Sequence, residues 1–356
     1  MKTTFALVGF CFLLTTTTHA QMSTGFQEVT PEEAGISQDS LDVLDDLIYN
    51  TPPRDFRGLI VIKDNQLAVE YYYHTFWRNT IHDIRSAGKS VTALLLGVAI
   101  QQGLISSLDQ DVYSFFPKDQ YPDINPDYQQ ITLRHLLNMA SGLDADSDYV
   151  QTPGHAGQWM SKEDWLPYLL QVPTVRPPGQ KWVYADIHAV LIGAIIEQTS
   201  GMHLNDFAKQ YLFDPMGIDQ WYWYTNKSGQ TGAAGNLYLT ALDFAKLGTL
   251  LLNEGQWMGK PLVDAAYVDE LISTTAHELP EDWTMADTYG FLWYKSERTI
   301  GDKTYRYVWA SGNGGNHLVV FPEENMVIAL TASAYGPGPG HRRSFNIMSK
   351  VLLAMQ

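Results

Sequence analysis

Apolar residues recur along the chain at two spacings, and the switches between them divide it into elements. In residues 31–50, Leu41, Leu44 and Leu47 or Ile48 fall on one face of a predicted helix. Residues 57–73 alternate instead and break at Asp64-Asn65, the pattern of a β-hairpin. Helical spacing returns with Val91, Leu94, Leu95, Val98 and Ala99, and Gly103 marks a stop. From residue 103 to about 235, Pro, Asp and Trp interrupt short helical runs such as 133–140, with no clear strand pair. Residues 239–255 form a strong amphipathic pattern that predicts a helix opened by Thr240 and closed by Gly255. Residues 289–296, 303–311 and 316–333 read as antiparallel strands, with the last run turning at Pro322–Asn325, and a helix over 343–355 ends the chain.

This order predicts an α+β fold, an antiparallel sheet flanked by helices with an inserted all-helical domain. The expected divisions are 1–20 as a leader, 21–102 with 236–356 as a discontinuous sheet domain, and 103–235 as the helical insertion.

Composition narrows the class. Residues 1–20 carry Lys2, an apolar run from Phe5 to Leu14 and a polar end at Ala20, which is the form of a secretory signal peptide. The only cysteine, Cys11, lies inside it, so a processed chain would hold neither a disulfide nor a thiolate metal site. No later run reaches the roughly twenty apolar residues of a membrane span. The expected product is exported, to a periplasm or the exterior. A formal charge of −16 argues against nucleic acid or anionic membrane as partner.

The candidate chemistry starts at Ser86 and Lys89, the only S-x-x-K in the chain, at the mouth of the predicted helix. A serine hydroxyl needs a base and an oxyanion stabiliser to act as a nucleophile. A lysine one turn on can be that base if burial lowers its pKa. The tetrapeptide alone equally describes a helix cap followed by a solvated lysine. Tyr184 stands just ahead of another apolar helix, with Asp186 as its expected cap, and is either a proton carrier or a core tyrosine. Gly312, Gly314 and Gly315 precede a strand, where they would let backbone approach a ligand or simply form a turn. No H-E-x-x-H zinc motif is complete and no G-x-S-x-G occurs, so no metal and no cofactor are expected.

Together, residues 82–105, 131–143, 183–201, 232–257 and 310–330 resemble the serine β-lactamase and penicillin-binding protein superfamily. The likeness is to its class C-like branch, with its esterases, D-aminopeptidases and 6-aminohexanoate-dimer hydrolases. The resemblance implies Ser86 as acylated nucleophile, with Lys89 and Tyr184 as its acid–base partners. It places Asn313-Gly314-Gly315 at the family's K-T-G triad and the oxyanion hole at the N–H groups of Ser86 and Asn316. Asp186 stands where the family's β-lactamases have asparagine, and Asn313 where they have lysine; both are expected to face substrate. Losing a donor and a cation disfavours β-lactams and favours an ester, a small amide or an amine-bearing substrate. The expected function is a secreted serine hydrolase acting on a small ester, amide or short peptide. The alternatives are a true β-lactamase or peptidoglycan DD-peptidase, and a non-catalytic peptide- or cell-wall-binding protein.

Overall fold

The computed structural model describes residues 24–274, 277–281, 283–336 and 339–356. Residues 1–20, and Cys11 with them, lie outside the described residues.

Among the described residues a nine-stranded sheet forms the centre. Its order is Gln27–Glu28, Gln66–Tyr72, Phe56–Lys63, Met326–Ala332, Asn316–Phe321, Lys303–Gly312, Trp293–Ile300, Thr288–Gly290 and His277–Glu278. Every pairing is antiparallel except that of the first two strands. The hairpin predicted at Asp64-Asn65 is present, and both residues have positive φ, 52° and 59°, as its two-residue turn requires.

Strand alternation sends neighbouring side chains to opposite faces. Leu318 and Val320 pack toward Gly248 of the helix Ala241–Leu252, which Thr240 caps by accepting the Asp243 N–H. His317 turns the other way, stacks on His341 and packs against the tilted ring of Phe345, both on the C-terminal helix Pro339–Leu353. The helix Gln38–Asn50, capped by Ser37, packs against that C-terminal helix. It starts later than the apolar pattern alone suggests, because residues 31–35 are spent in turns.

Between residues 103 and 235 the regular structure is helical except for Trp221–Trp223, which pairs with Leu237–Leu239 and through it with His82–Asp83. The longest helix there, Asp186–Ser200, packs against the helix Gly88–Gln101. That contact brings Lys89 of one helix to the first turn of the other.

One predicted strand is two. Residues 289–296 fold back at Phe291-Leu292, whose φ values of 57° and 59° make a hairpin turn between Thr288–Gly290 and Trp293–Ile300. Left-handed backbone costs a bulky residue about 1–2 kcal/mol. Three hydrogen bonds offset that cost. Phe291 N–H donates to Asn138 Oδ1 (3.1 Å), Leu292 N–H to Leu137 O (2.8 Å), and Ser90 Oγ to Leu292 O (2.7 Å).

Candidate active site

Ser86 sits in a tight 3₁₀ turn, Arg85–Ala87, that runs into the helix Gly88–Gln101. Arg85 enters the turn with φ 54°, a left-handed conformation uncommon outside glycine. Asp83 fixes it, with Oδ1 accepting the Arg85 N–H at 2.8 Å. Two glycines then pack the turn from outside. A Cβ on Gly312 would stand 1.9 Å from Ile84 O, and one on Gly235 would stand 3.1 Å from Arg85 O. Backbone therefore touches backbone on two sides, which leaves the serine little freedom to shift.

Lys89 points back over this turn and is almost wholly buried, at 1% exposure. Its Nζ donates to Ser86 Oγ (3.1 Å) and Ala234 O (2.8 Å), and lies 2.7 Å from Asp186 Oδ1. The three protons of an ammonium thus meet three oxygens. Nζ also lies 5.0 Å from the centroid of the Tyr184 ring. Tyr184 in turn packs on Trp182 and stacks on Trp283.

Burial pulls the Lys89 pKa down, but Asp186 and then Tyr184 pull it up further, so it stands above the usual lysine value. This corrects the expectation of a burial-lowered amine. The physical reason is Asp186: it is the first residue of its helix, Ala185 holds the cap position, and the carboxylate is turned onto Lys89 instead of capping.

Replacing Asp186 by Asn is therefore expected to destabilise the fold by about 2–3 kcal/mol near neutral pH, by weakening a buried ion pair. In the native protein the raised Lys89 pKa contributes stability that is full below the unfolded lysine value of about 10.4 and lost only above it. In Asp186→Asn burial dominates, the folded value drops below the unfolded one, and stability should climb with pH across the alkaline range. Melting temperatures followed from about pH 7 to 10 measure this. Equal stability of the two proteins throughout would contradict it.

The turn opens into a cavity of about 220 Å³. Ser86, Asp186 and Asn313 line it, and Arg85, Trp159, Met160, Trp165, Val190 and the 232–236 segment join them. Trp182, Trp221, Trp223 and Trp309 are not in the wall. Trp159 and Trp165 lie in a stretch without periodic pattern, so no sequence signal separates them from core.

Asn316 lies behind the cleft. It is fully buried, pairs with Gly312 in the sheet, and spends its carboxamide on Asn313 O (2.9 Å) and Ala332 N–H (3.1 Å). Gly314 and Gly315 also face away from the cavity. Their φ values of 98° and 95° are ones that glycine tolerates, and added Cβ atoms would meet Tyr335 and the C-terminal helix at Gly340 and Ser344. Asn313 is the exposed tip of this turn, and its N–H takes no hydrogen bond among the described residues.

Two other clusters carry similar groups. Ser141 Oγ is 2.8 Å from His188 Nε2, but both are buried; burial lowers the His188 pKa to about 4 and keeps the ring neutral. That pair holds the helix entrance, since His188 Nδ1 also reaches Ala185 O at 3.1 Å. A larger cavity of about 360 Å³ lies beside Lys295, whose ammonium is spent on Ile272 O and Thr274 O at a helix end.

The family described as Beta-lactamase matches residues 55–351. The chain is 24% identical over 341 residues to the 6-aminohexanoate-dimer hydrolase of Paenarthrobacter ureafaciens, covering 91% of this chain and 84% of that one. Among solved structures it resembles a penicillin-binding protein homolog from Caulobacter crescentus, with TM-score 0.71 and 15% identity over 89% of this chain and 97% of that one. It also resembles the D-amino acid amidase from Ochrobactrum anthropi SV3 complexed with L-phenylalanine amide, with TM-score 0.66 and 17% identity over 89% and 99%.

Proposed function

Because the chain belongs to the Beta-lactamase family, and its relatives are hydrolases of the serine superfamily, we propose that Ser86 is the nucleophile of an acyl-enzyme mechanism acting on a linear amide or ester. The supporting observation is Ser86 Oγ at 3.1 Å from a buried ammonium, on a turn clamped by Gly235 and Gly312 at the cavity wall. The relatives' own substrates, an aminohexanoate dimer and a D-amino acid amide, favour an open-chain amide over a β-lactam ring.

In this reading Oγ attacks the carbonyl carbon and the carbonyl electrons move onto oxygen. Lys89 already donates to Oγ and cannot take its proton, so it stabilises the charge that develops there. The Tyr184 hydroxyl accepts the Oγ proton as it hands its own to the leaving nitrogen or oxygen, which leaves the cluster's charge unchanged. Asp186 balances Lys89 throughout. Water then repeats the steps in reverse to release the acid. The oxyanion lies between the N–H groups of Ser86 and Asn313; we prefer Asn313 to Asn316 because it lines the cavity and its N–H is free among the described residues.

An acyl-enzyme predicts a pre-steady-state burst of p-nitrophenol from a p-nitrophenyl ester, with an amplitude near one per chain when deacylation is the slower step. A linear onset at every enzyme concentration, with no acylated species trapped by acid quench, would contradict it. On the character of residues 1–20 we also place the protein outside the cytoplasm.

A further inference from the structure

Arg85 occupies a position that its backbone does not suit. At φ 54° a glycine would sit without strain, whereas any side chain costs about 1–2 kcal/mol. A side chain retained at such a position, beside a nucleophile, suggests use rather than tolerance. The surroundings show how it is held. Asp83, itself buried, accepts the Arg85 N–H and brings Oδ2 to 3.2 Å from Arg85 Nε, out of line for a hydrogen bond. The guanidinium lies over the ring of Tyr335, 4.4 Å from its centroid. Asn313 Oδ1 accepts the Gly336 N–H at 3.0 Å and so ties the segment carrying Tyr335 to the cavity rim.

This leaves the outer edge of the guanidinium open. The Arg85 side chain is 40% exposed, and its terminal nitrogens make no hydrogen bond among the described residues. The cavity has two charged residues in its wall, Arg85 and Asp186, and Asp186 is occupied by Lys89 at 2.7 Å. Arg85 is likewise paired, with Asp83 at its Nε, but its terminal N–H groups stay free among the described residues, so what the wall offers a substrate is cationic donors. They stand in a chain of net charge −16, whose general field repels an anion and makes a local cation necessary for binding one.

We propose that Arg85 is a substrate-recognition residue that binds a carboxylate, so that the hydrolysed compound is an amide or ester bearing a free carboxylate. A planar fork of N–H donors fits a carboxylate with two parallel hydrogen bonds, which a lysine does not reproduce. The rest of the substrate meets Trp159, Met160, Trp165 and Val190, a wall that favours an apolar chain. The proposal rests on the reading of this cavity as the catalytic one.

The test compares matched substrates that differ by one charge. Glutaryl p-nitroanilide against glutaramyl p-nitroanilide places the carboxylate on the acyl side. The butyryl esters of 4-hydroxybenzoate and 4-hydroxybenzamide place it on the leaving side. In the native protein the carboxylate member of at least one pair should be preferred in kcat/KM by about tenfold or more, the size of a charge-assisted hydrogen bond. Added salt should shrink that preference. Arg85→Gln keeps a Cβ at the same φ and should bring the ratio near one, chiefly through KM, while Arg85→Lys keeps part of it. Absence of preference in both native pairs, or a preference that Arg85→Gln leaves intact, would overturn the assignment. Failure of the serine reading shows separately, as uncharged substrates still hydrolysed by Ser86→Ala.

Discussion

Ser86→Ala is expected to remove ester and amide turnover by at least about 10⁴-fold while the protein melts within a few degrees of the native one. The size follows from the loss of the covalent route, since deletion of a nucleophile leaves only binding and oxyanion stabilisation. The small structural effect follows from the site. Ser86 is half-buried, the hydrogen bond lost is the one from Lys89, and that ammonium keeps Ala234 O and Asp186 as partners. Steady-state assays with a p-nitrophenyl ester and a p-nitroanilide, alongside thermal melts, measure both quantities. A variant that retains a tenth of native turnover would remove Ser86 from the mechanism.

Lys89→Met should lower kcat by about a hundredfold or more, the range found when an acid–base or charge-stabilising partner is removed. Methionine keeps most of the volume, so the loss reports charge more than packing. The pH profile separates two roles for this lysine. A base made neutral by burial would give a rising limb at a depressed lysine pKa. An ammonium held by Asp186 and Tyr184 gives no lysine titration until the pH exceeds the ordinary lysine range. The native kcat/KM is thus expected to show no such limb below about pH 10. A limb near neutrality that disappears in Lys89→Met would show that the amine works as the base and not as a fixed positive charge.

What the sequence made legible were features whose cause is local. The Asp64-Asn65 turn was readable because those residues tolerate positive φ, and Thr240 because a threonine before an amphipathic run caps it. The S-x-x-K spacing alone put Lys89 within reach of Ser86, since one helical turn fixes that distance.

What stayed hidden depends on contacts between distant segments. The Phe291-Leu292 turn contradicts local propensity and is held by Asn138, Leu137 and Ser90. Asp186 looked like a cap or a substrate contact because nothing in its neighbourhood announces Lys89, 97 positions earlier, at 2.7 Å. Gly312, Gly314 and Gly315 were all candidates for backbone approach to a ligand. Only the three-dimensional arrangement separates the one that packs on the Ser86 turn from the two that face Tyr335 and the C-terminal helix. Arg85 carried a signal that required its φ, and no residue pattern reports that.

The most direct test of Ser86 as the acylated nucleophile is intact-mass and peptide-mapping analysis of the native protein after a fluorophosphonate probe, beside Ser86→Ala. A single adduct is expected on the peptide containing Ser86, absent in the variant and paralleling the loss of ester turnover. An adduct on another serine, or none in a protein that still hydrolyses the ester, would contradict that role.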